Sequence, residues 1–337
     1  MKEQYVRDLG EGSKVDSLFA LRSRDLRSAR TGEAYLSLEL GDRSGRIPAV
    51  MFRPGSVEES LPVGSVVRLR GTVTTFRNVR RVTVDALAPA PSYEPADFLA
   101  TGRRDKEEML AELRGLVRSI RDRRLRAVVR AVFGAPGFIE AFAACPAAIG
   151  RHHAYVGGLL EHTIAVATAC VALASAYPQA DPDLLLSAAL LHDVGKTEEL
   201  ASEASIEFTP AGRLLGHVVL GERIVTKAIR SLARPLTEEM ADRLSHALLA
   251  HHGEREWGAP VSPCTIEALL LHHADQTDAQ ATAFLEAVSG AAVLQQGWSD
   301  RANGFGRALL VPAVPDASAA PVGGAPVLLQ EARRDCA

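Results

Sequence analysis

The chain has 337 residues, 47% hydrophobic and 23% charged, with a formal net charge of −3; this excludes a disordered polyelectrolyte and leaves room for two globular domains. Four scattered cysteines with no CxxC pair exclude a disulfide framework and a zinc ribbon, and point to a reducing cytoplasm. The opening MKEQYVRDLGEGSK has no apolar core, and the long apolar stretches are broken by His, Asp, Glu or Lys, so neither a secretory signal nor a membrane partner is expected.

The first ninety residues read as strands. Ser17–Arg22 is a short apolar run, and Tyr35–Leu40 alternates in its second half. Gly41-Asp42-Arg43-Ser44-Gly45 is turn chemistry, with Arg46–Phe52 as the return strand. After a break at Pro54–Pro62, Ser65–Thr75 and Val79–Leu87 flank a tight turn at Phe76-Arg77-Asn78. Five strands with a meander front predict a small closed barrel, most simply an OB-fold, over residues 1–90. Residues 1–150 carry a net charge of +6 and residues 151–337 one of −9. A basic front suits a polyanion. An OB barrel binds single strands with aromatic platforms and basic residues, and the FRNVRR turn offers Phe76, Arg77, Arg80 and Arg81 for substrate binding. Tyr35 and Phe52 are read equally well as barrel core or as stacking platforms.

Pro89–Pro95 is a Pro-rich linker, after which the period becomes helical. Met109, Leu110, Leu113, Leu116, Val117 and Ile120 recur at helical spacing, and Leu125, Val128, Val129 and Val132 continue to Gly134. Residues 91–150 are therefore read as linker and Arg-rich helices, the arginines mostly a solvated face. From Arg151 to about residue 290 the chain reads as consecutive helices: Gly157–Tyr177, Pro182–Leu200, His217–Leu232, Thr237–His252, and a fifth started by Ser262-Pro263 and running to about Val288. Ile206–Thr209 reads as a short strand in a loop. Residues 291–337, rich in Ala, Pro and Gly from Val311, read as a partly disordered tail. The predicted class is thus an all-β OB barrel followed by an all-α bundle.

All ten histidines lie between His152 and His273. His192-Asp193 ends the apolar run LLLSAALLHDVGK, and Asp275 sits in the apolar helix EALLLHHADQTDA. Burying such groups is costly without a compensating partner, and a metal ion would compensate both. His162, within GLLEHTIAVA, adds a third helix, which is how helical bundles build metal sites. His217 and His251 near helix ends offer a second set, with Asp193 placed to bridge two ions. Imidazoles mixed with carboxylates suit Zn, Fe or Mn better than Mg or Ca. Lys196, one turn beyond His192, is placed to neutralise phosphate charge, so His192, Asp193 and Lys196 are the candidate catalytic residues.

The order His162, His192-Asp193, Asp275 resembles the H…HD…D signature of the HD phosphohydrolase superfamily. More closely, RHHAYVGGLLEHT, LLHDVGKTEEL, GRLLGHVVLGE, LLAHHGEREWGAP and LLLHHADQTDAQ resemble the YhaM family of bacterial 3′-5′ exoribonucleases, over about residues 5–290. The resemblance implies an OB-fold joined to an HD domain and two divalent ions per site, manganese first, with iron, cobalt or zinc also suited to the donors. It implies core ligands His162, His192, Asp193 and Asp275, and second-metal ligands His217 and His251, with His252 able to exchange roles with His251. Arg151, His152 and His153 match a basic stretch placed to touch phosphate. Asp278 is expected to be structural, and His246, His272 and His273 to be supporting or core residues.

The expected function is metal-dependent hydrolysis of single-stranded RNA from its 3′ end to nucleoside 5′-monophosphates, with single-stranded DNA as a further substrate. Two alternatives stand beside it. One is an HD enzyme acting on a nucleotide or cyclic nucleotide. The other is a non-catalytic single-strand binder. Sequence leaves open whether copies assemble as a homo-oligomer.

Overall fold

The computed structural model describes residues 2–28, 32–76, 79–99, 102, 104–149, 153–202, 206–289, 297–301 and 303–311. Arg77, Arg151, His152 and most of the predicted tail lie outside the described residues.

Alternating apolar positions build five strands, β1 (Lys14–Ser28), β2 (Ala34–Asp42), β3 (Gly45–Phe52), β4 (Val66–Phe76) and β5 (Val79–Pro89), with a short helix α1 (Ser56–Ser60) between β3 and β4. They close into a barrel of order β1-β2-β3-β5-β4, with β3 and β5 parallel and the other neighbouring pairs antiparallel. This is the OB-fold. The first strand is much longer than its apolar run, because one strand must pair with both β2 and β4; a bulge between Leu21 and Ser23 turns it from one partner to the other. Phe19, Leu21, Leu36, Leu38, Leu40, Val67, Leu69 and Val82 fill the interior. Phe52 is half exposed and Tyr35 pairs with it on the outer face, ring centroids 6.1 Å apart. The core reading of these two rings is therefore wrong: Leu36 and Met51 take the inward positions instead.

The helices are α2 (Lys106–Ser119), α3 (Arg123–Phe133), α4 (Phe138–Ala144), α5 (Gly158–Ala176), α6 (Pro182–Leu191) and α7 (Lys196–Glu199). After a hairpin of β6 (Leu200–Ser202) and β7 (Ile206–Phe208) come α8 (Pro210–Ser231), α9 (Glu238–Ala250) and α10 (Ile266–Ser289). Their starts follow side-chain capping. Asp105, Asp122, Asp181, Thr209 and Thr237 accept first-turn N–H groups, with Pro182 and Pro210 at the first helical position. One core runs through the bundle and includes Met109, Leu113, Leu125, Val128 and Val129, so α2 and α3 belong to it rather than to a linker. Their Arg114, Arg118, Arg121, Arg123, Arg124 and Arg130 are exposed.

Three helix boundaries differ from expectation. The helix from Pro182 stops at Leu191 instead of continuing to Leu200, because His192–Gly195 turns the chain into α7. α10 starts at Ile266 rather than at Ser262-Pro263, because Thr265 supplies the cap, its Oγ1 accepting the Ala268 N–H at 3.2 Å. α8 begins at Pro210, seven residues before His217, and is broken inside by Gly216 at φ 72°. α5 is long and apolar enough to cross a membrane on composition alone, yet Leu159, Leu160, Val166 and Ala167 are buried in the bundle core. From Ala283 the described residues form a separate unit, with Phe284 against Phe305 and an isolated bridge between Trp298 and Leu310.

Gly195 shows how tightly the site's backbone is packed. A Cβ there would lie 2.0 Å from the His217 carbonyl oxygen and 2.4 Å from the Gly221 nitrogen. Gly195→Ala should therefore lower the stability of the helical domain by about 2–3 kcal/mol through overpacking. Urea unfolding followed by helical circular dichroism checks this; an unchanged midpoint would show that the contact yields freely.

Candidate metal centre

Four helix or turn ends deliver the site. His192 and His251 are the C-cap residues of α6 and α9. Asp193 follows His192 in the turn, and His217 follows the Gly216 break in α8. His162 and Asp275 come from within α5 and α10. Buried helix ends leave carbonyls in need of donors, and the histidines use them. His192 Nδ1 donates to the Ala189 carbonyl at 2.8 Å, His251 Nδ1 to Leu248 at 2.7 Å, and His252 Nδ1 to Trp257 at 2.8 Å. Carboxylates fix the other two rings: His162 Nδ1 donates to Asp278 Oδ2 at 2.7 Å and His217 Nδ1 to Glu199 Oε1 at 3.1 Å. All five rings therefore turn Nε2 toward one centre.

Two groups form there. His162 Nε2 lies 3.2 Å from His192 Nε2, 3.4 Å from Asp193 Oδ2 and 3.2 Å from Asp275 Oδ1. His217 Nε2 lies 3.2 Å from His252 Nε2 and 3.4 Å from Asp193 Oδ1, with His251 Nε2 at 3.7 Å from the same oxygen. Asp193 thus presents one oxygen to each group. Lys196 Nζ pairs with Asp193 Oδ2 at 2.6 Å.

The electrostatics follow from burial and neighbours. Burial raises the Asp193 carboxyl, but Lys196, His192 and His162 outweigh it and hold the group well below the usual carboxylate range. Burial likewise opposes ionisation of Asp275, and His162 and His192 overcome it. Burial, with His252 and His192 nearby, holds His251 well below its ordinary value, so it is neutral near pH 7. Lys196 is charged despite burial because Asp193 faces it.

A divalent metal fits this donor set. Asp193 Oδ1 and His251 Nε2 are buried without a hydrogen-bond partner, a costly state in an apolar interior. Facing Nε2 lone pairs at 3.2 Å repel unless a cation or proton lies between them. Imidazoles whose other nitrogen is fixed by a carbonyl or carboxylate are the usual environment of metal-ligating histidine. His217, His251 and His252 form one compact ligand group, and His162, His192 and Asp193 another. The geometry brings both His251 and His252 to the second group, so neither displaces the other.

The remaining expected residues fall elsewhere. His153 is buried at φ 57°, its Nδ1 2.8 Å from the Tyr155 hydroxyl and its Nε2 3.0 Å from Asp278 Oδ2. It does not line the pocket over the centre; a phosphate contact there is replaced by bracing of Asp278. Phe76 is half exposed at the barrel tip under the Arg81 guanidinium, 4.3 Å from its ring, while Arg80 donates to the Leu9 carbonyl at 2.8 Å. His272 Nδ1 lies 2.9 Å from the His251 carbonyl, His246 Nε2 accepts the Cys264 N–H at 2.9 Å, and His273 is exposed.

Glu199 is the residue that sequence reasoning missed. Its Oε1 takes both the His217 N–H at 2.9 Å and the His217 ring. Trp257 and Phe208 were also missed. Both are large, partly exposed rings lining the same pocket of about 680 Å³, together with Lys196, His217, His252 and Asp275.

A closed five-stranded barrel ahead of a helical domain with converging HD-type ligands defines an OB-fold protein carrying an HD-class hydrolase domain. Two family profiles agree: "HD domain" over residues 159–280, and "OB-fold nucleic acid binding domain" over residues 21–89. Proteins named 3′-5′ exoribonuclease YhaM align along most of the chain. Those of Bacillus velezensis and Bacillus subtilis are each 31% identical over 273 residues, 80% of this chain and 86% of theirs. That of Listeria monocytogenes is 31% identical over 281 residues, 82% and 88%. The chain belongs to the YhaM family.

Removing the carboxylates behind the rings should weaken metal binding before it harms folding. Asp278→Asn and Glu199→Gln are each expected to lower divalent-metal affinity by about 10–100-fold. Calorimetric titration with Mn²⁺ measures it, and wild-type affinity in both variants would contradict the orienting role.

Proposed function

We propose that the protein is a metal-dependent nuclease that hydrolyses single-stranded RNA from the 3′ end, releasing nucleoside 5′-monophosphates, with single-stranded DNA as a further substrate. The observation that carries the reading is Asp193, whose two oxygens face two separate imidazole groups on the wall of an open pocket. His162, His192, Asp193 and Asp275 would hold one divalent ion, and His217, His251, His252 and Asp193 the other. When bound, such ions acidify water at neutral pH and offset charge on a phosphoryl group. Manganese is the first choice, with iron, cobalt and zinc compatible with the same donors.

The chain's own side chains supply the rest. The Lys196 ammonium, anchored on Asp193, faces the pocket as a fixed positive charge for a non-bridging phosphate oxygen. Trp257 and Phe208 offer ring faces to the terminal base; stacking of this kind is indifferent to sequence. Trp257 is held by its carbonyl, which accepts His252 Nδ1–H, so the base platform and the metal shell share one backbone. On the barrel, Phe76 with Arg81, and Tyr35 with Phe52, supply further contacts to the strand. The names of the YhaM relatives and the OB-fold support a polymeric substrate over a mononucleotide. The scattered cysteines with no CxxC pair support a reducing cytoplasm as the protein's location.

Asp193→Ala should abolish release of 5′-monophosphates from a free 3′ end, by about 10³-fold or more, with circular dichroism retained. Residual activity within tenfold of wild type would refute the assignment. Trp257→Ala should raise KM for RNA about tenfold, the loss of one base stack, and an oligonucleotide with an abasic 3′ residue should no longer distinguish it from wild type.

A further inference from the structure

We propose that a second single-strand contact lies at the β2–β3 turn of the barrel, an arginine cleft that takes the phosphates of the strand leaving the metal pocket. The inference rests on the nuclease reading above and adds the path of the substrate. A cleft of about 450 Å³ is lined on the barrel side by Arg22, Arg43, Ser44 and Arg46, and on the helical side by Ile149 and Ile206. Ile149 also lines the metal pocket, and the β7 strand contributes Ile206 to the cleft and Phe208 to the metal pocket. The two cavities are therefore neighbours across one partly exposed isoleucine and one short strand.

The charge of the cleft is positive. Asp42 also lines it, but that carboxylate is already satisfied: Lys2 Nζ lies 3.1 Å from Oδ2, and the Val6 N–H, the Ser44 N–H and the Ser44 hydroxyl donate to its oxygens. Glu39 meets Arg46 only at 3.4 Å across an exposed surface, where pairing is worth little. Arg43 lies over the Tyr5 ring, 4.7 Å from its centroid, and has no carboxylate partner among the described contacts. Arg22 donates to the Phe98 carbonyl at 2.7 Å, and its buried Nε has no partner. Burial first, and then the charge of Arg46, press Arg22 below its ordinary value, while Glu39 and Asp42 oppose them. A phosphate backbone would add counter-charge beside Arg43 and Arg46.

The position also connects the cleft to the outer face of the barrel. Arg46 and Phe52 lie on the same outer row of β3, six residues apart, or about 20 Å at about 3.3 Å per residue. A strand held at Arg43 and Arg46 runs toward the Tyr35–Phe52 pair, and the barrel tip at Phe76 is not required for the first contacts beyond the pocket.

The test uses the full chain loaded with Mn²⁺, a 20-nucleotide RNA with a blocked 3′ end, a 20-nucleotide RNA with a free 3′ end and a trinucleotide. Arg43→Ala/Arg46→Ala should weaken binding of the blocked 20-mer about tenfold by fluorescence anisotropy, and reduce the slope of log K against log salt by about 1.4, two single-strand phosphates. Trinucleotide hydrolysis should stay within twofold of wild type, and Arg43→Lys/Arg46→Lys should bind as wild type. Unchanged binding of the 20-mer, or equal losses on trinucleotide and 20-mer, would overturn the cleft. Failure of the wild-type protein to shorten the free 20-mer overturns the nuclease reading instead, since binding is read separately.

Discussion

Everything in the helical domain answers to one difficulty, the placement of the Asp193 carboxylate in an interior where it is 2% exposed. An unpaired buried carboxylate is strongly disfavoured. Here the Lys196 ammonium meets one oxygen, and imidazole nitrogens stand on both sides, placed to share a cation with it. Those imidazoles are useful only if their acceptor nitrogens point inward, and each ring is turned by a fixed partner behind it. Ala189, Leu248 and Trp257 carbonyls, with the carboxylates of Asp278 and Glu199, set the tautomers of the whole centre. The backbone supports the arrangement at short range, as in the approach of Gly195 to α8.

The barrel obeys a different constraint. Its interior is packed with apolar side chains, Phe19, Leu21, Leu36, Leu69 and Val82 among them, so its contribution is surface. Arginines and a few rings occupy that surface, and Asp16, Asp25, Glu33 and Glu39 each pair with a neighbouring arginine.

How much of this was legible in the sequence depends on contrast. His192-Asp193 and Asp275 stand out because they interrupt apolar helices, and the alternating strands announce a barrel. Glu199 was invisible because KTEEL reads as ordinary solvated surface; only the fold brings it under His217. His153 looked like a phosphate contact because it follows Arg151-His152, but burial and Asp278 claim it. Tyr35 and Phe52 could be resolved only by register, since a shift of one residue in either strand would reverse their faces. The stop at Leu191 was hidden by good helix formers and is imposed by the turn His192–Gly195.

The break at Gly216 has a consequence for how the chain tolerates change. In an unbroken helix, each inserted or deleted residue rotates everything that follows by about 100°. Gly216 leaves the helical region, so the turn Pro210–Leu215 and the segment starting at His217 keep separate phases. His217 takes its orientation from Glu199 instead of from the preceding turn. The Pro210–Leu215 segment, with Leu214 largely exposed but Gly212 packed against Glu199, can thereby change its own helical phase without rotating the ligand that follows it.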